Sequence, residues 1–220
     1  MKTGITGGIG SGKSYVCKRL AARGITVYDC DAAAKRLIRT SPEIHDALTQ
    51  LIGPDAYLPP SALNPQPSTL NPQPSALHQE PFTLNKAAVA RFLLSNEQNA
   101  QAIDRIIHPA VFRDFEESGM QWMESAIMFE SGIYRLVDRV IVVTAPLEVR
   151  IRRVMQRDGI TREKVLQWMD RQLPQDEVRR RADCEIVNDG IADIDRQLDE
   201  ILNLKSQISN LKSQNNKELC

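Results

Sequence analysis

Thr3-Gly4-Ile5-Thr6-Gly7-Gly8-Ile9-Gly10-Ser11-Gly12-Lys13-Ser14 is the stretch of this 220-residue chain that decides its architecture. A short apolar run leads into closely spaced glycines, then Lys-Ser opens an amphipathic segment. Together they satisfy the pattern GxxxxGK[ST] in the strand-to-helix setting its mechanism requires. Glycines adopt backbone angles closed to other residues, so successive N–H groups can turn inward and form an anion cradle at the positive end of the helix. A nucleoside triphosphate is what such a cradle encloses. On this reading Gly8, Ile9, Gly10, Ser11, Gly12, Lys13, Ser14 and Tyr15 bind the nucleotide. Lys13 reaches the β- and γ-phosphates, and the Ser14 hydroxyl ligates Mg²⁺ bridging the same oxygens. The competing reading is a glycine-rich turn without a ligand.

Outward from the loop, apolar strand-like runs alternate with helix-period segments. "KTGIT" (2–6) precedes a helix over Ser14–Arg23, and "ITVYD" (25–29) follows. "MQWME" (120–124), "RVIVVTA" (139–145) and "CEIVN" (184–188) come later, before a closing helix. This alternation predicts an α/β fold with a mostly parallel sheet. Gly24 reads as a helix C-cap, and Pro146 falls near the start of the helix after "VIVVT".

Composition narrows the function classes. The 28 Lys and Arg balance 28 Asp and Glu, so no global field draws the chain to nucleic acid or a membrane, and an acidic small-molecule substrate fits better. Cys17, Cys30, Cys184 and Cys220 lie far apart without a CxxC pair, which argues against a zinc site or a disulfide framework and for a reducing cytoplasm. No apolar stretch approaches the roughly 20 residues of a membrane helix. Between Leu58 and Leu84 the near-copies "SALNPQP" and "STLNPQP" cannot build a core and read as a tolerated loop insertion; a proline-rich ligand for a partner domain is the alternative. The tail repeats "NLKSQIS" as "NLKSQNN", too little for a persuasive coiled coil.

The phosphate loop alone does not say what is done to the nucleotide. "VYDCDAAAKRL" puts Asp29 and Asp31 at the carboxyl edge of the sheet, where open α/β folds bind ligands. On an extended segment both carboxylates can face one side, Asp29 near the metal and Asp31 near an attacking hydroxyl whose proton it takes. A capping turn is the structural alternative. From Arg150 to Arg157, "RIRRVMQR" sets Arg150, Arg153 and Arg157 on one helical face. Arginines on a closing lid can stabilise the charge of a migrating phosphoryl group, although a basic face is more often simply solvated. The sequence shows no obvious acidic strand end of the kind a hydrolytic motor uses, which leaves Mg²⁺ with Ser14 and Asp29 as protein ligands.

The ordered set "TGGIGSGKS", "GITVYDCDAAAKRL", "IIHPAV", "AIMFESGIYRLVDRVIVV", "RVMQRDGITRE" and "RRRADCEIVNDG" resembles the dephospho-CoA kinases, P-loop kinases of coenzyme A biosynthesis. The likeness covers nearly all of the chain apart from the insertion and the tail. It implies a P-loop kinase with a parallel β-sheet core flanked by helices, a helical substrate-binding lobe and a helical lid. The activity implied is ATP-dependent phosphorylation of the ribose 3′-hydroxyl of dephospho-CoA, giving CoA and ADP. ATP and Mg²⁺ are the implied cofactors, and the substrates are the implied partners. Nucleic acid and membrane are not expected partners, and the oligomeric state is open between a monomer and a small homo-oligomer.

Residue by residue, the resemblance makes Asp31 the general base, with Lys13, Arg153 and Arg157 the other catalytic candidates. Thr6, Asp31, His108 and Glu130 become substrate contacts, and Asn188 an adenine-side contact. In "SAIMFE" Glu130 matches the family's "PLLFE", while Ser125 replaces the usual proline. The implied division is a core of 1–31, 119–149 and 183–220, an acceptor lobe of 32–118 carrying the insertion 58–84, and a lid of 150–182. Rival readings are another small-molecule or nucleoside monophosphate kinase, a nucleotide-dependent switch, and a crippled paralogue.

Overall fold

The computed structural model describes residues 1–59 and 82–203. The proline-rich repeats and the repeats of the tail lie outside the described residues. In chain order the regular elements are β1 (Thr3–Thr6), α1 (Lys13–Ala21), β2 (Tyr28–Asp29), α2 (Cys30–Thr40), α3 (Pro42–Ile52), α4 (Lys86–Ser95), α5 (Asn99–Ser118), β3 (Trp122–Glu124), a 3₁₀ turn (Ile133–Leu136), β4 (Arg139–Thr144), α6 (Leu147–Asp158), α7 (Arg162–Met169), α8 (Gln175–Arg181) and β5 (Cys184–Val187). A helix over 194–203 follows. The chain divides into two compact units, Met1–Asp29 with Gly119–Cys220, and Cys30–Ser118.

The first unit is built on a parallel sheet in the order β2-β3-β1-β4-β5. Parallel strands are covered on both faces, so their sequences are apolar without alternation. "RVIVVT" of β4 obeys this, every residue of it being buried. Ile5, Val16, Leu20, Trp122, Ile141, Val143, Ile186 and Leu198 form the core. β1 pairs with β3 on one side and β4 on the other, Thr3 standing opposite both Trp122 and Arg139. Strand order reverses at β1, and the crevice beyond its carboxyl end is where such sheets bind ligands.

Each strand is shorter than its expected run, β1, β4 and β5 by a single residue and β2 and β3 by more. β2 holds only Tyr28–Asp29 because it is an edge strand paired with β3 alone; Ile25 and Val27 pack on the core without joining the ladder. β3 starts at Trp122 rather than Met120. Regular helix in α1 stops at Ala21, and Gly24 closes its end as expected: at φ +76° its N–H donates to the Ala21 carbonyl at 3.0 Å while the Ile25 N–H reaches the Leu20 carbonyl at 3.1 Å, the Schellman pattern.

The second unit is helical. Ser41 caps α3 by accepting from the Ile44 N–H at 3.3 Å, with Pro42 in the first turn, and Asn85 caps α4. Ile44, Leu48, Ala56, Tyr57 and Ala110 form its core, and the Tyr57 hydroxyl donates to the Ile38 carbonyl at 3.1 Å. The base of the proline-rich excursion is fastened: Tyr57 and Leu84 form an antiparallel bridge, and the Leu58 N–H donates to the Thr83 carbonyl at 2.8 Å.

Candidate functional site

β1 delivers the chain into a loop, Gly7–Gly12, that wraps the N-terminus of α1. Gly10 and Gly12 adopt φ +79° and +91°, the left-handed region that favours glycine. Space forbids a side chain as well. A Cβ on Gly10 would lie 2.6 Å from the Arg150 carbonyl oxygen, one on Gly8 2.5 Å from the Arg150 guanidinium, and one on Gly12 would collide with the Asn188 carboxamide. The loop is braced from outside. Ile9 donates its N–H to Gln172 Oε1 and accepts from Arg150 Nε, both at 2.9 Å. Asn188 Nδ2 donates to the Ser11 carbonyl at 2.9 Å, and Arg153 reaches the carbonyls of Gly10 and Ser11 and the Asn188 carboxamide oxygen at 3.3–3.4 Å.

Lys13 forms a largely buried ion pair with Glu124, the last residue of β3. Glu124 stands in register with Ile5 of β1 and Asp29 of β2, so two carboxylates occupy neighbouring strand ends. The sheet therefore does carry an acidic strand end beside the phosphate loop, contrary to the sequence expectation. Its signal was the terminal Glu of "MQWME"; what hid it was a partner 111 residues away. A cleft of about 440 Å³ is lined by Ser14, Cys17, Asp29 and Glu124 among others. Burial pushes the Cys17 thiol up to about 11, so it is neutral there. The cleft offers a hydroxyl and carboxylates, all hard oxygen donors. That set suits Mg²⁺, which takes one or two protein ligands and completes its shell with phosphate and water.

On the other side of α1, Gly12, Tyr15, Arg153, Asn188 and Gly190 line a second cleft of about 580 Å³. Tyr15 is half exposed on its rim. Arg150, Arg153 and Arg157 all lie on α6, but only the first two meet the phosphate loop. Arg157 pairs instead with Asp158 at 2.8 Å on the exposed end of the helix, which holds the Asp158 carboxyl below its ordinary range. Thr6 is buried at the end of β1. Glu130 is exposed and accepts from the Leu173 N–H at 3.1 Å.

Ser125, standing where the family has proline, donates its N–H to the Ile5 carbonyl at 3.0 Å, a bond proline cannot make. Its hydroxyl accepts from the Ile127 N–H at 3.3 Å and turns the chain.

Asp31 and His108 belong to the other unit. Asp31 is exposed in the first turn of α2, which begins at Cys30 directly after β2. The two aspartates thus do not share an extended segment as expected, because the backbone turns into helix between them. His108 lies inside α5, followed within the same helix by Pro109; its ring is 3.6 Å from Asp104 and stacks on Phe112.

Comparison with known proteins agrees with this geometry. A family model described as dephospho-CoA kinase matches residues 1–66 and 72–193. The chain belongs to the dephospho-CoA kinase family. It is 33% identical over 213 residues to a dephospho-CoA kinase of Bacteroides fragilis, covering 92% of this chain and 91% of that one. A dephospho-CoA kinase of Porphyromonas gingivalis is 38% identical over 192 residues, 84% of either chain. Among solved structures, TT1252 from Thermus thermophilus superposes with a TM-score of 0.71 at 31% identity, covering 92% of this chain and 96% of that one. The dephospho-CoA kinase from Campylobacter jejuni shares the fold, with a TM-score of 0.55 at 18% identity over 96% of this chain and all of that one. As a member of the dephospho-CoA kinases, the chain is an ATP-using kinase of coenzyme A biosynthesis, and the P-loop architecture expected from the sequence is the one found. No helix among the described residues is long and apolar enough to cross a membrane.

Proposed function

We propose that the chain transfers the γ-phosphoryl group of ATP to the ribose 3′-hydroxyl of dephospho-CoA, releasing CoA and ADP. The observation that carries this reading is the braced glycine loop with Lys13 at its end, within a chain matching the family on both sides of the insertion.

The backbone N–H groups of Gly8, Gly10 and Gly12, with those of Lys13 and Ser14, receive the phosphate chain, while the N–H groups of Ile9 and Ser11 are spent on Gln172 and on the Gly8 carbonyl and hold the loop's shape. Lys13 exchanges Glu124 for the β- and γ-phosphates. Tyr15 and Asn188 flank the nucleoside in the 580 Å³ cleft. Mg²⁺ supplies charge neutralisation on the phosphate oxygens, and Ser14 Oγ with Asp29 are the groups that would hold it. Asp31 takes the proton of the 3′-hydroxyl as its oxygen bonds to the γ-phosphorus, while the bond to the β–γ bridging oxygen breaks and ADP departs with the electron pair. Arg153, and Arg157 once released from Asp158, meet the charge on the migrating group. Thr6, His108 and Glu130 contact the acceptor. Residues 150–182 act as the lid that excludes water and 32–118 as the acceptor lobe, and the cytoplasm is the site of action.

Incubation of the purified chain with dephospho-CoA, ATP and Mg²⁺, with products separated and identified by mass, tests donor, acceptor and position together. CoA and ADP in equal amounts are expected. ATP consumption without CoA, or phosphate on another atom of dephospho-CoA, overturns the proposal.

A further inference from the structure

Three cationic side chains of the first unit surround the phosphate loop, and their charges are balanced differently. Lys13 faces the Glu124 carboxylate. The Asp189 carboxyl, held below its ordinary range chiefly by the N–H groups of Ala192 and Ile191, lies near enough to Arg153 to feel its charge. Arg150 has neither kind of partner. It is 7% exposed, and its side-chain hydrogen bonds go to neutral oxygens: Nε to the Ile9 carbonyl at 2.9 Å and Nη1 to Gln175 Oε1 at 3.4 Å. No carboxylate forms an ion pair with it among the described residues. Burial lowers the affinity of its guanidinium for the proton.

A buried charge without a counter-charge is costly, and natural sites keep one where a ligand supplies the missing sign. The geometry around Arg150 says where that ligand lies. Its Nη2 closes against Gly8, leaving no space for a side chain there, and its own carbonyl does the same at Gly10. Ile9, between them, has its carbonyl held by Arg150 and its N–H held by Gln172, while its side chain packs with Ile151, Val154 and Val165. The neutral oxygens fix the guanidinium in place without cancelling its charge.

Building on the phosphate-loop reading above, we propose that Arg150 is a positioning residue of the nucleotide site. It sets the curvature of the phosphate loop through Gly8 and Ile9, and its uncancelled charge favours polyanionic ligands, so its contribution grows with the number of phosphates bound.

The test is a set of dissociation constants for ATP, ADP and AMP on the full chain, without acceptor, by competition against a fluorescent ATP analogue. R150M should weaken ATP on the order of tenfold, ADP less and AMP least, since a charge acts on each phosphate in turn through a partly shielded medium. R150K keeps the charge and loses the planar fork. It should weaken ATP a few-fold while preserving the wild-type ratio of ATP to AMP affinity. Equal losses for all three nucleotides in R150M, or no loss, overturn the proposal. Should R150M fail to show a cooperative melting transition, R150K decides: an unchanged affinity for ATP, or an altered ratio of ATP to AMP, overturns it. A wild-type chain that binds no ATP removes the phosphate-loop reading itself, a result distinct from a variant that fails to discriminate.

Discussion

The two units of this chain solve the problem of recognition by opposite means. Around the phosphate loop the recognising groups are backbone amides, and side chains serve to hold the backbone: Arg150, Gln172, Asn188 and Arg153 all spend hydrogen bonds on Gly10, Ser11 or Ile9. In the helical unit the backbone is consumed by its own helices, and only side chains remain to recognise anything. A cavity of about 330 Å³ in this unit is walled by Ile38, Leu48, Ile52, Ile103 and other apolar groups, with Asp104 the polar exception. A site made of backbone tolerates few changes and announces itself in glycines; a site made of side chains is free to vary.

The largest expected effect lies on the backbone-built side. K13A should lower turnover on the order of 10³-fold or more and weaken ATP as well, because one charge serves both the bound phosphates and the transition state. ADP release coupled to CoA formation reads the first, and nucleotide titration the second. D31N, in the other unit, should lower kcat by about 10²–10⁴-fold and leave the ATP dissociation constant unchanged, as expected for loss of a proton acceptor. Normal turnover in D31N removes Asp31 as the base and with it the assignment of chemistry to the second unit. Next comes G12A, which forces a side chain into a left-handed backbone already occupied by Asn188. It should cost about 1–3 kcal/mol in thermal or urea unfolding and weaken ATP with it. Unchanged stability would show that the loop is looser than its contacts suggest.

The smallest effect separates the units by pH. Burial raises the Cys17 thiol from 9.0 to about 11 in the first unit and the Tyr57 phenol from 10.0 to about 12 in the second. In both cases the folded chain holds its proton more tightly than the unfolded chain. The associated stability is therefore complete below the unfolded value and falls as pH rises through the folded one. Alkaline unfolding should accordingly draw on Cys17 between about pH 9 and 11, and on Tyr57 between about pH 10 and 12. C17A should flatten the first part of that decline and Y57F the second. A decline that neither variant alters would assign it elsewhere.

What could be read from the sequence follows the same division. The glycine loop and β4 are legible because each is fixed by local chemistry: positive φ at Gly10 and Gly12, and a run buried at every position over 139–144; β5, an edge strand with only Ile186 fully buried, is legible from its short β-branched run. β2 was overestimated since Ile25 and Val27 are apolar for the sake of the core, not of a ladder. Glu124 escaped because its meaning comes from Lys13, and Arg150 read as one member of a basic face because burial is a property of the fold. The spacing of Asp29 and Asp31 suggests a shared extended backbone, which the start of α2 at Cys30 denies. Ser125 could be recognised as a departure from proline, but its bond to Ile5 needed β1 and β3 side by side.

The pairing of Lys13 with Glu124 has a consequence for selectivity against small inorganic ions. Sulfate or orthophosphate arriving alone meets an ammonium group already satisfied and must displace a neighbouring carboxylate with the few contacts one tetrahedral anion can make. A nucleotide arrives with many contacts at once and can complete that displacement. Binding of an anion at Lys13 is thereby an exchange with Glu124 rather than the filling of an open charge.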